Sequence, residues 1–242
     1  MKLLTYILPA DTQHRHGFFA DVRIDAENTL RTLYLDEKPR YLSALFSKGK
    51  IKETLSGSVL YKCDAAEKYK NEKTASDGRG LFLHHMREIL FTAAGNAADM
   101  PEFVIFSVSV RDIPKFSDII MSRCRVSFLT TPACAEVMND IMMEEFGVPA
   151  SASSSVRLGG KTAVIMPGGE IFSAEGADNI VNLSGKRLPQ RAVTPDSVKY
   201  TLPPQLRLAA NAVYSPERLQ TALDFFGISY DKTAVASVNS YK

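Results

Sequence analysis

The sequence predicts an α/β protein: a mainly parallel sheet flanked by helices, Rossmann-like and three-layered, in the C-terminal half, preceded by an N-terminal α+β lobe. Three observations predict it. Residues 103–146 alternate strand and helix patterns, the order that builds a parallel sheet. Residues 132–146 carry a complete set of helix start and stop signals. Residues 162–166 and 179–183 are short apolar runs that each close on a glycine turn, as fully buried strands do.

Residues 2–8 (Lys-Leu-Leu-Thr-Tyr-Ile-Leu) suit a first strand. Phe18, Ala20, Val22 and Ile24 alternate with Phe19, Asp21, Arg23 and Asp25, which predicts a strand with one wet face. Ala26-Glu27-Asn28-Thr29 turns it into a second strand over 30–35, giving a β-hairpin. Pro39 opens a short helix to Phe46, and 54–63 reads equally as strand or helix. The polar segment 64–80 ends in Ser76-Asp77-Gly78-Arg79-Gly80 and reads as a loop. A helix over 81–94 follows, with Phe82, Met86, Ile89, Leu90 and Ala93 on its buried face and one of His84 and His85 flanking that face; Gly95 and Asn96 stop it.

The β-branched and aromatic run 103–110 predicts a buried strand, Pro114 a short helix to about Ser122, and 125–130 a second strand. In the helix 132–146, Thr131 is the expected cap, Pro132 the first helical residue and Gly147 the left-handed exit. Its buried stripe is expected at Cys134, Val137, Met138, Ile141 and Met142, and its wet side at Glu136, Asn139, Asp140 and Glu144. Residues 148–156 suggest a strand of small side chains. Prolines divide the tail from Thr194 into short pieces, with a helix over 216–226 capped by Ser215 and ended by Gly227. A boundary at 98–102 would separate an α+β lobe (1–100) from the parallel-sheet lobe (101–242), as one continuous domain or two.

Charge and cysteine count narrow the function classes. Lys and Arg number 29 against 27 Asp and Glu, a net charge of +2, so nothing in the balance favours nucleic acid or an anionic membrane as a partner. Cys63, Cys124 and Cys134 are an odd set without framework spacing, which fits a reducing compartment and a cytoplasmic protein. The opening run is broken by Pro9 and followed by Asp11, so it reads as a strand and not a signal peptide. No run reaches membrane-spanning length.

Several motifs bear on chemistry. Gly159-Gly160-Lys161-Thr162 ends like a phosphate-binding P-loop, but Ser155 stands where the first glycine belongs and Thr-Ala-Val-Ile-Met after Lys161 reads as a strand, not a helix. No G-x-G-x-x-G occurs, and no motif names a cofactor. His14-x-His16 resembles the opening of metal-dependent hydrolases of the amidohydrolase and PHP types, but no histidine follows His85 to complete such a set; His84 and Glu88, one turn apart, are the nearest addition. Asp112 and Glu170 follow strands and are candidate general bases, with nothing to bring them together. Cys134, in a first helical turn, is a candidate nucleophile that also falls on an apolar stripe, where it would be inert.

If the strands are parallel, Thr130, Thr131, Gly168, Gly169, Ser184 and Gly185 all fall at one sheet edge. A helix start and glycine turns there can hold an anion, with Lys186 or Arg187 supplying charge. The expectation is a ligand site for an anionic, phosphorylated or carboxylated small metabolite, whether or not a reaction follows. The alternatives are a non-catalytic protein-interaction module and, third, a metal-dependent hydrolase.

Overall fold

The computed structural model describes residues 2–10, 13, 17–35, 59–62, 72–74, 76–95, 100–122, 124–147, 151–188 and 191–239. The helix expected at Pro39–Phe46, residues 54–58 of the ambiguous run, most of the 64–80 loop, and His14, His16 and Cys63 lie outside them. The chain forms two compact units: Met1–Gly78 with Thr201–Ala234, and Arg79–Tyr200 with Val235–Lys242.

The first unit is built on β1 (Lys2–Pro9). Leu4, Thr5, Tyr6 and Ile7 are fully buried because β1 has a parallel neighbour on each side, β3 (Asn28–Leu35) and β4 (Val59–Lys62). A central parallel strand is apolar on both faces, so it reads as a run and not as an alternation. The edges are β2 (Phe19–Arg23), antiparallel to β3, and β5 (Glu72–Thr74), parallel to β4. The β2–β3 hairpin forms as expected. Asp25 closes it, its carboxylate accepting the Glu27 and Asn28 N–H groups at 2.8 and 2.9 Å. The expected burial of Phe18, Ala20, Val22 and Ile24 does not follow: Phe18 is 48% exposed, Ala20 is exposed, and Val22 and Ile24 are half-buried. As an edge strand β2 has little to pack against, and its residues are half-buried at most.

In the second unit the helix expected over 81–94 is two, α1 (Arg79–His84) and α2 (Met86–Ala94), broken at His85 (φ −99°, ψ 14°). Their stripe of Phe82, Met86, Ile89, Leu90 and Ala93 is buried as spaced. Half-buried His85 lies 5.6 Å from the Tyr200 ring. Five parallel strands follow: β6 (Glu102–Phe106), β7 (Arg125–Leu129), β8 (Ser151–Ser153), β9 (Thr162–Ile165) and β10 (Asn179–Asn182), in spatial order β10-β9-β6-β7-β8. Between them lie α3 (Ser117–Ile120) and α4 (Pro132–Phe146).

Alternation along the strands divides the core. Phe103, Ile105, Phe128, Val164 and Val181 pack with α1, α2, α3 and α4. Val104, Phe106, Leu129, Ala163, Ile165 and Ile180 face the other way, against Leu158, Ala174 and the half-buried Phe172 and Leu188. Handedness explains the split. The steps β6–β7–β8 run one way along the sheet and place α3 and α4 on one face; β8–β9–β10 run the other way, so their right-handed connections cross the opposite face. Those connections carry Gly159-Gly160 and Pro167-Gly168-Gly169, and they form turns and one 3-10 turn (Gly169–Ile171) instead of α-helices.

Four local readings need correction. The strand expected over 103–110 ends at Phe106, because Ser107 Oγ accepts the Ser109 N–H (3.1 Å) and turns the chain into a 3-10 helix, Val110–Phe116. Pro114 sits inside that helix instead of opening one. On α4, Met138 and Met142 are buried but Val137 is 47% exposed, while Asn139, expected wet, is half-buried and bonds the Ala152 N–H and C=O. Of the strand expected at 148–156, residues 148–150 lie outside the described residues, 151–153 form β8, and 154–156 are not strand. A small antiparallel pair, β11 (Val198–Tyr200) and β12 (Val235–Val238), closes the unit, and in the first unit α5 (Pro216–Phe226) forms with Ser215 as cap and Gly227 left-handed (φ +68°).

Gly169 marks the tightest approach in the sheet: a Cβ there would lie 2.1 Å from the Phe106 carbonyl oxygen. Gly169→Ala is therefore expected to lower unfolding free energy by roughly 3 kcal/mol in urea titrations, because backbone must move. Gly159→Ala, which points into open space at an ordinary φ, should change it by less than about 0.5 kcal/mol.

Candidate functional site

The strand order reverses at β6. Its neighbours are β7 on one side and β9 on the other, and the chain leaves β6 and β9 toward opposite faces. Such a reversal opens a crevice outside the carboxyl ends of the strands. All six residues singled out from the sequence lie along this edge: Thr130 and Thr131 after β7, Gly168 and Gly169 after β9, Ser184 and Gly185 after β10. At about 4.8 Å per strand, the β7 and β10 ends are roughly 14 Å apart. The six therefore form two clusters with the end of β6 between them, too far apart for one phosphate to bridge.

On the β7 side, Thr131 is the N-cap of α4 in extended geometry (φ −73°, ψ 152°). Its carbonyl accepts the Cys134 and Ala135 N–H groups at 3.0 Å, but its hydroxyl makes no cap bond, so the helix terminus lacks a side-chain acceptor. Thr130 donates its N–H to Ser153 O (3.0 Å); its side chain is fully buried and Oγ1 has no hydrogen-bond partner. Strand alternation sets it on the same face as Phe128, with the helices. The hydroxyl is sealed from solvent, so Thr130 floors this corner and does not line it. Cys134 is a half-buried free thiol whose Sγ donates to Val108 O at 3.5 Å.

On the other side the glycine turn already holds an anion, from its own chain. The Glu170 carboxylate pairs through Oε1 with Lys186 Nζ, and that lysine, with the nearby Glu170 and Gly168 N–H groups, holds it below the usual carboxylate range. The Gly169 N–H goes to Met166 O (2.8 Å). Gly168 (φ +88°) could accept no Cβ, which would meet Val108 Cγ2 at 2.6 Å. The anion cradle read from Gly168-Gly169 and Lys186 thus has Glu170 in it. Glu170 follows the glycines directly, which was the available signal. Ser184 closes a turn on Asn182, donating its N–H and Oγ–H to Oδ1 at 3.0 and 2.7 Å. Gly185 (φ +78°) lies against Arg79, whose Nη2 would be 2.4 Å from a Cβ.

At the end of β6 stands a group that motif reading did not assemble. Ser107 Oγ donates to Asp112 Oδ2 at 2.5 Å, and Lys115 Nζ donates to Asp112 Oδ1 at 2.6 Å. Ser107 is fully buried and Asp112 is 4% exposed. The chain of bonds pins the β6 exit loop and leaves Asp112 engaged on both oxygens; Glu170 pairs through Oε1 only, and its buried Oε2 has no hydrogen-bond partner. The spacing Ser107-x-Ser109-x-x-Asp112 after a strand was the legible trace of this loop. There is no glycine in it and a 3-10 helix follows, so it lacks the close-approach loop and α-helix start of a dinucleotide site. Lys161-Thr162 opens β9, which removes the P-loop reading structurally.

Two hollows lined by described residues lie elsewhere. One, of about 280 Å³, sits at the amino end of β10 between 174–180 and 191–193; the other lies between α2 and α3 at Arg87, Phe91, Asp118, Met121 and Ser122. Among the described residues no three His, Cys, Asp or Glu side chains converge as a metal site. Burial pushes the Cys124 thiol up, and its Sγ donates to Ile119 O at 2.9 Å. Among the described residues no helix is long and apolar enough to cross a membrane.

No family model matches the sequence, and no curated protein matches it. Among solved structures the chain is similar to L-tryptophan dehydrogenase from Nostoc punctiforme, with 10% identity and a TM-score of 0.38 over 96% of this chain and 76% of that one. At that distance the likeness says nothing about activity.

The Glu170 contacts carry a pH signature. A carboxyl held low in the folded state stabilises the fold above its unfolded pKa, and that contribution is lost as pH falls through the folded value. Wild type should therefore lose melting temperature more steeply than Glu170→Gln as pH falls below about 4.5. Parallel curves for the two proteins would show that Glu170 is not held by the turn.

Proposed function

We propose that the chain binds a small anionic metabolite, phosphorylated or carboxylated, at the carboxyl edge of the β6–β10 sheet. The observation that supports this most directly is the reversal of strand order at β6 beside the α4 terminus, which no side chain caps. The anionic group would sit at Thr131, where the first-turn N–H groups and the helix dipole favour negative charge. The rest of the molecule would extend past Val108 toward Gly168, Ser184 and Gly185. The roughly 14 Å between clusters fits a metabolite larger than phosphate alone. Engagement of both Asp112 oxygens by Ser107 and Lys115 favours binding over acid–base catalysis by that carboxylate.

A thermal-shift panel of phosphorylated and carboxylated metabolites tests the reading, since a ligand selective for the folded state raises the melting temperature. Thr131→Ala is expected to weaken binding about five- to tenfold. Glu170→Gln should strengthen it by freeing Lys186 and the Gly168 N–H. Thr130→Val removes a hydroxyl without a partner, so it should leave stability unchanged or raise it by up to about 1 kcal/mol. A ligand whose affinity none of the edge variants changes would refute the site. Silence across the panel would favour the interaction-module alternative, and a response to zinc or manganese alone the metal-dependent hydrolase.

A further inference from the structure

The first unit contains a buried cation with no counter-charge among the described residues. Arg218 is 8% exposed, and its Nη1 is buried with no hydrogen-bond partner. Burying a guanidinium without a partner costs several kcal/mol, by general estimates, so a native structure retains one only where something compensates. The protein itself offers little. The Arg218 N–H goes to Ser215 Oγ at 3.4 Å, and its carbonyl accepts from Tyr6 Oη at 2.5 Å. Among the described residues the guanidinium stacks on the Tyr214 ring, its Cζ 4.6 Å from the centroid.

The direction of the side chain matters. Arg218 is the third residue of α5, counting from Pro216, and Tyr214 is the residue before the Ser215 cap. Stacking on Tyr214 therefore carries the guanidinium back over the N-terminus of an 11-residue helix. That end already holds the positive end of the helix dipole, where an anion is favoured and a cation disfavoured. Two positive sources coincide, and the segment before α1 adds close backbone: a Cβ on Gly78 would lie 3.2 Å from Pro216 Cβ and 3.4 Å from Glu217 N.

We propose that the α5 terminus is a binding site for a compact oxyanion, a phosphate or carboxylate group, held by Arg218 and covered by the Tyr214 ring. The planar guanidinium fork suits either group. Tyr214 is 71% exposed and can swing aside to admit it, uncovering the nitrogen now sealed beneath. The site belongs to the first unit.

The test is the melting temperature of the full chain in inorganic phosphate and, separately, in acetate, each against chloride at equal ionic strength. Wild type is expected to rise by roughly 2–4 °C in about 10 mM phosphate. Arg218→Met should abolish the rise while melting at or above wild type in chloride, because it removes a buried unpaired charge. Should Arg218→Met not fold, Tyr214→Ala, a change at an exposed position, must still reduce the rise by half or more. A response to phosphate alone identifies a phosphoryl group, and one to acetate a carboxylate. No response of wild type to either anion, or an equal rise in the variants, overturns the proposal.

Discussion

The carbonyl of Phe106 against Gly169 is the contact on which the second unit turns. At the end of the central strand, the chain leaving β9 crosses so close that only a residue without a Cβ fits. That approach seats the β9 exit turn against β6, where Met166 N–H bonds Phe106 O at 3.0 Å. From there the Gly168 turn reaches Val108, Glu170 reaches Lys186, and the β10 exit is tied to the β9 exit. Replace the contact with any larger residue and the carboxyl edge must open, because interiors packed at crystal density have little slack.

The same edge shows how an anion-binding turn can be satisfied from within. Backbone N–H groups and a lysine converge on one point, and the chain supplies the carboxylate itself. Arg218 is the contrasting case: the positive charge is assembled, and no charged partner for it stands among the described residues. Pairing, more than burial, sets the difference: the Glu170 side chain is 12% exposed and Arg218 8%, but Glu170 has Lys186 beside it, whereas Arg218 Nη1 has no hydrogen-bond partner.

Much of the fold was legible because its signals are local. The 132–146 helix was read from Thr131, Pro132 and Gly147, and the structure matches it end for end. The parallel sheet followed from continuous apolar runs. What local pattern could not show was which face meets what. Val137 has the spacing of a core residue but lies on the open side of α4, because helix–sheet packing selects only part of an apolar stripe. Phe18 and Val22 alternate correctly on a strand that has little to cover it. The edge position of the six candidate residues was readable from order alone. The occupation of the Gly168 turn by Glu170 was not, because it depends on Lys186, delivered by a different strand exit. Ser107 and Asp112 announce a loop, not its partners.

The first unit is interrupted. Its strands come from the beginning of the chain, while α5, which packs on β1, comes from 201–234. Tyr6 and Arg218, joined by a hydrogen bond, are 212 positions apart. During synthesis the ribosome therefore releases β1 long before the helix that covers it exists, and the whole 79–200 segment emerges in between. The apolar strand must wait, guarded or transiently mispaired, while the second unit acquires most of its chain first. Closing so long a loop is slow relative to local contacts. Both units therefore wait for late segments: the first for α5, and the second for β12, which pairs with β11 only after residues 201–234 have emerged.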